Sequence, residues 1–113
     1  MADPVLAITP GEPAGIGPEI LLKFCHEHPE FRVLAVADPD LLRQVAERLG
    51  FEPRITIWKP GSEVRSGELL CYPVALRAAA EPGRLEPSNA GYVLETLNRA
   101  VELLQAGHAA ALV

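Results

Sequence analysis

Positive charge is in short supply. Ten lysines and arginines face fifteen aspartates and glutamates in 113 residues, giving a net charge of −5 and a pI near 5.1. Nucleic-acid phosphates and anionic membrane surfaces both call for a basic face, so neither is an expected partner. Long apolar runs are missing too; none reaches the ~18 residues that a bilayer-spanning helix needs. The opening "MADPVLAITPG" has Asp3 where a leader peptide needs positive charge, and no apolar h-region precedes the first turn signal. The expected location is the cytoplasm. Cysteine is scarce as well. Cys25 and Cys71 are far apart and form no C-x-x-C, so two reduced, buried thiols are expected.

What is present is enough apolar residue, 49%, to form a core, and a length that suits one small domain. "VLAIT", Val5 to Thr9, reads as a buried strand ended by Pro10-Gly11. Gly17-Pro18 opens a helix, because proline at the first helical position gives up an N–H that has no partner there anyway. Ile20, Leu21, Phe24 and Cys25 make its expected apolar stripe, and Pro29 stops it. A second strand, Phe31 to Ala37, leads to Asp38-Pro39, a cap and first turn. Leu41, Leu42, Val45, Ala46 and Leu49 follow at helical spacing before Gly50. "ITIW", Ile55 to Trp58, is a third strand. Lys59 to Pro87 is turn-rich, with short strands possible near Leu69–Cys71 and Val74–Leu76. Ser88 is expected to cap a helix to about Ala106, with Val93, Leu97, Val101 and Leu104 on one face and a Glu95–Arg99 pair. "AAALV", Ala109 to Val113, is a last buried strand.

Strands alternating with amphipathic helices argue for right-handed crossovers and a mostly parallel α/β sheet with flanking helices. The strands lack a clear apolar/polar alternation, which suits burial on both faces. The sequence stops inside an apolar strand, so residues 1–113 are expected to be the front part of a longer protein.

The densest cluster of backbone punctuation is "ITPGEPAGIGPEI", Ile8 to Ile20. It is not the dinucleotide fingerprint G-x-G-x-x-G, since Ile20 stands where the third glycine belongs. It is not a phosphate loop either, because Pro18 and Glu19 follow the last glycine in place of Lys and Ser or Thr. Pro18 removes a donor and Glu19 adds a like charge, so a helix start that could bind phosphate is disfavoured here. Two readings stay open on physical grounds. In one, Gly11, Gly15 and Gly17 let a ligand approach the backbone beyond the carboxyl end of a strand, where ligands of α/β sheets usually bind. In the other the loop is a rigid turn without a ligand. Glu12 has no basic neighbour in sequence; it either orients the loop or faces the cleft.

"TPGEPAGIGPE", Thr9 to Glu19, resembles the N-terminal signature of the 4-hydroxythreonine-4-phosphate dehydrogenase family of vitamin B6 synthesis. Many members have Asp where this chain has Glu12. A looser likeness joins it to the G-D-G-I-G-P-E of isopropylmalate and isocitrate dehydrogenases, which share the fold. "NAGYVLETLNRAVELLQAGHAAALV", Asn89 to Val113, is similar to the family's helix and strand before its T-[AG]-P-[IV]-[HN]-K segment. The resemblance implies NAD-dependent oxidation of 4-phosphohydroxy-L-threonine followed by decarboxylation, in a homodimer. It implies a divalent metal held by three histidines that lie beyond this chain, as do the main substrate phosphate contacts. Gly11, Glu12, Ala14, Gly15 and Ile16 are then the candidate cofactor-binding residues, and no catalytic or metal-ligating residue is expected here. His26 and His28, two apart on a helix, face different ways; with His108 they read as solvated or capping histidines. Asp38 reads as a helix cap rather than a ribose ligand. Two alternatives stand beside this reading: a related dehydrogenase of four-carbon acid-sugar phosphates, and a non-catalytic α/β binding domain.

Overall fold

The computed structural model describes residues 4–113; Asp3, weighed above against a leader peptide, lies outside the described residues. Five strands form one all-parallel sheet. β1 (Val5–Ile8), β2 (Arg32–Ala37), β3 (Ile55–Ile57), β4 (Leu69–Pro73) and β5 (Ala111–Leu112) lie side by side in the order β3-β4-β2-β1-β5. Helix α1 (Gly17–Glu27) links β1 to β2, α2 (Pro39–Leu49) follows β2, and α3 (Ala90–Gln105) precedes β5. The parallel α/β expectation holds.

β2 is the spine of the core, and period-two alternation splits it between two layers. Val33, Ala35 and Ala37 join Leu21 and Leu22 of α1 and Leu41, Leu42 and Val45 of α2. Leu34 and Val36 face the other way, toward Tyr92, Ala100 and Leu103 of α3 and toward Trp58 and Leu70. Both faces of β2 are therefore buried, which is why its sequence shows no polar alternation.

α2 follows its sequence signals closely. The Asp38 carboxylate accepts from the Asp40 and Leu41 N–H groups at 2.8 and 3.4 Å, Pro39 opens the helix, and Gly50 ends it at φ +77°.

Four expectations need correction. In α1, Leu22 is buried and Ile20 is exposed, so the stripe is rotated from the one read in sequence. Ser88 does not cap α3. A 3₁₀ turn, Pro87–Asn89, precedes the helix, and Glu86 accepts from the Ser88 N–H at 3.2 Å. The buried face of α3 is Tyr92, Thr96, Ala100 and Leu103, whereas Leu97 and Val101 point outward. The Tyr92 hydroxyl accepts from the Asp38 N–H at 3.1 Å, a contact that helps fix this rotation. Finally, Val74–Leu76 is not a strand. The Val74 N–H donates to the Ala37 carbonyl and the Leu76 N–H to Asp38 Oδ2 at 2.9 Å, so the chain turns across the end of β2. The expected Glu95–Arg99 pair is present at 3.9 Å, although Glu95 also receives Arg77, and Arg99 lies closer to Glu102.

Candidate functional site

The carboxyl ends of the strands form one rim. Around β1 the order of strand addition reverses: β2 flanks it on one side and β5 on the other. In open α/β sheets such a switch point, outside the strands' carboxyl ends, is where ligands bind. The glycine-rich loop leaves β1 at this point.

Its geometry explains the glycines one by one. Gly11 has φ +79°, a conformation that costs a side chain about 1 kcal/mol. Gly17 is the most constrained: a Cβ there would lie 1.7 Å from the Pro10 carbonyl oxygen. The start of α1 is thus pressed against the chain's own backbone, and Gly17 serves that packing rather than a ligand. Gly15 is exposed, and a Cβ on it would meet only Glu12, the carbonyl oxygen at 3.3 Å and the Cβ at 3.8 Å. Glu12 orients the loop. Its carbonyl accepts from the Gly15 N–H at 3.0 Å and its carboxylate from the Ala14 N–H at 3.4 Å. The Ala14 carbonyl in turn accepts from the Gly83 N–H at 2.9 Å. Ile16 stands at the N-cap of α1 with 71% of its surface exposed, and Ile20 lies one turn on, also exposed. The five sequence-derived candidates therefore sit together, and their outward face is Gly15 and Ile16.

The neighbouring rim is tied by side chains that accept from backbone. Asp38 accepts three N–H groups, from Asp40, Leu41 and Leu76. That leaves it a structural clamp, in line with the cap reading. Asn89 was not singled out from the sequence. It is fully buried, accepts from the Arg77 and Ala78 N–H groups at 2.9 and 3.0 Å, and donates to the Ala78 carbonyl at 3.1 Å. No local spacing marks such a residue, because its partners lie eleven and twelve positions away. Burial holds the Cys71 thiol up at about 12, its Sγ lying against the Ala37 carbonyl, and lifts the Tyr92 hydroxyl to about 12.

The histidines stay apart. His26 stacks on Phe51 with ring centroids 4.4 Å apart, His28 bonds Glu30 at 3.3 Å, and His108 meets Trp58 edge-on. Among the described residues no three His, Cys, Asp or Glu side chains gather where they could hold a metal ion. None of the described helices is long and apolar enough to cross a membrane.

Fold and loop together define an open, doubly covered parallel α/β layer with a glycine-rich turn at its switch point. Comparison narrows this. The chain is 42% identical over 110 residues to 4-hydroxythreonine-4-phosphate dehydrogenase of Chromobacterium violaceum, and 37% identical over 111 residues to that of Saccharophagus degradans. These matches cover 97% and 96% of the chain. Over the part that it spans, its sequence is that of the 4-hydroxythreonine-4-phosphate dehydrogenase family. The chain spans about a third of the length of these curated relatives, 34% and 33%. A crystal structure of a 4-hydroxythreonine-4-phosphate dehydrogenase from Burkholderia phymatum superposes with TM-score 0.82 at 26% identity, over 96% of this chain and 35% of that one. The Klebsiella pneumoniae structure, at TM-score 0.84 and 24% identity, covers 97% of this chain and 36% of its own; it shows the fold. No family model matches the chain.

Proposed function

We propose that the chain supplies the cofactor-side loop of an NAD- and divalent-metal-dependent dehydrogenase in pyridoxal phosphate biosynthesis. The substrate is 4-phosphohydroxy-L-threonine; its hydroxyl is oxidised with hydride transfer to NAD, and the resulting keto acid loses carbon dioxide. The active protein is a cytoplasmic homodimer, and residues 1–113 alone are inactive. The observation that carries this reading is the outward face of the glycine loop. Exposed Ile16 beside uncovered Gly15 makes an apolar ledge at the switch point, suited to the flat adenine or ribose end of a dinucleotide. The residues fit that end and not the pyrophosphate. Pro18 offers no N–H, Glu19 is acidic, and Gly17 is closed off by Pro10. The described residues do not fit a divalent metal, so on this reading its ligands lie outside the chain and no step is derived through it here.

Titration of the ¹⁵N-labelled chain with NAD tests the loop's role. The amides of Gly15 to Gly17 should shift at roughly millimolar ligand, and Ile16→Ser should weaken the response without lowering Tm. Shifts confined to other parts of the chain, or none, would overturn the cofactor assignment.

A further inference from the structure

At the amino ends of the strands, opposite the glycine loop, a cavity of about 360 Å³ opens between the end of α1, the segment that follows α2, and the starts of β2 and β4. We propose that it binds a small organic ammonium ion with an apolar body. Its volume falls in the range of small-molecule sites. Leu22 and Leu69 give it a buried apolar floor. Phe31, itself 43% exposed, and Phe51 supply aromatic walls, and ring faces attract cations.

Three sources of negative potential converge there. α1 ends at His28, which lines the cavity, so this helix brings its C-terminal, negative end there. Glu52 and Glu68 line it, and neither carboxylate has an ion-pair partner among the described residues. Opposing them are Arg54, which also borders a neighbouring groove lined by Glu47, and the imidazoles of His26 and His28, the latter bonded to Glu30. The balance favours a cation over an anion, and the floor and walls favour one with carbon to bury. This site does not rest on the proposed dehydrogenase function, and it lies at the other end of the sheet.

Three matched probes of one shape decide the matter: phenethylammonium, 2-phenylethanol and phenylacetate, titrated into the ¹⁵N-labelled chain. Phenethylammonium should bind at roughly millimolar concentration, shifting amides at Phe31, Phe51 and Glu68, with the alcohol about tenfold weaker and the acid weaker still. Replacing both carboxylates, Glu52→Gln with Glu68→Gln, should weaken the ammonium about tenfold and leave the alcohol unchanged. Phe31→Leu should weaken both. These positions are at least partly exposed, and an unchanged spectrum elsewhere checks that the fold is kept. Equal or tighter binding of phenylacetate, an unaffected double variant, or shifts that map elsewhere would each overturn the proposal.

Discussion

The two ends of the sheet are built by different means. At the carboxyl end side chains tie down backbone: Asp38 takes three N–H groups, Asn89 makes three bonds, and Glu12 holds its own turn. At the amino end packing is incomplete, a cavity remains, and the carboxylates of Glu52 and Glu68 have no ion-pair partner among the described residues. A substitution that strips an acceptor from the first end leaves mostly part-buried donors stranded. A charge change at the second end alters only what the solvent already screens.

Gly17→Ala should sharpen this contrast most. The methyl carbon would overlap the Pro10 carbonyl at 1.7 Å, and relief requires moving the start of α1. A loss of about 3 kcal/mol or more is expected, read as a Tm drop of well over 10 °C at roughly 4–8 °C per kcal/mol. Gly11→Ala, strained but unhindered, should cost only about 1 kcal/mol. Equal losses at the two glycines would mean that the close approach to Pro10 does not matter.

Asn89→Leu comes next. It strands the Arg77 and Ala78 N–H groups, at about 1–3 kcal/mol for each unsatisfied donor. Denaturant unfolding should show the shift in midpoint without a change in slope. Asp38→Ala should cost about 1–2 kcal/mol for the cap, with an added loss for Leu76. Asp38→Asn should recover part of it, because its amide oxygen still accepts.

Alkaline pH tests the two thiols: Cys71 is buried, and Cys25, expected to be buried, is only partly so. Burial raises Cys25 from 9.0 to about 11 and Cys71 from 9.0 to about 12. A raised folded-state pKa means that the neutral thiol is favoured by folding. Its stabilising contribution is whole below pH 9 and is lost as pH climbs toward 11 and 12. Tm should therefore fall across that window, and Cys71→Ala should flatten the fall although it lowers Tm at pH 7. A Tm that holds constant from pH 9 to 11 would refute the buried-thiol account. The smallest effect belongs to the other end: Glu68→Gln should change stability by less than about 0.5 kcal/mol.

Much of the fold was legible because local signals agreed with one another. Around α2, Asp38, Pro39, the apolar spacing and Gly50 all point to one helix, and that helix is there. α3 shows where periodicity fails. Leu94, Leu97 and Val101 make an apolar stripe as convincing as Tyr92, Thr96, Ala100 and Leu103, so spacing cannot choose the inner face. The choice is bound up with a contact from the Tyr92 hydroxyl to Asp38, 54 positions away. Strand order was illegible for the same reason: β4 enters between β2 and β3, and nothing in Leu69–Pro73 announces its neighbours. At the candidate site the glycine loop stood out, since backbone punctuation is local. Asn89 did not, since its meaning depends on where Arg77 and Ala78 arrive.

The position of β4 also orders events in time. β3 pairs only with β4 among the described strands, yet residues 55–57 leave the ribosome before residues 69–73. The "ITIW" segment must therefore wait, apolar and unpaired, while the β1–α1–β2–α2 half is already able to close on itself. During that interval it is an unpaired, β-prone stretch open to pairing with another chain. The inner strand β4 is thus made after its outer neighbour, and the edge strand β3 is locked in place only once β4 arrives.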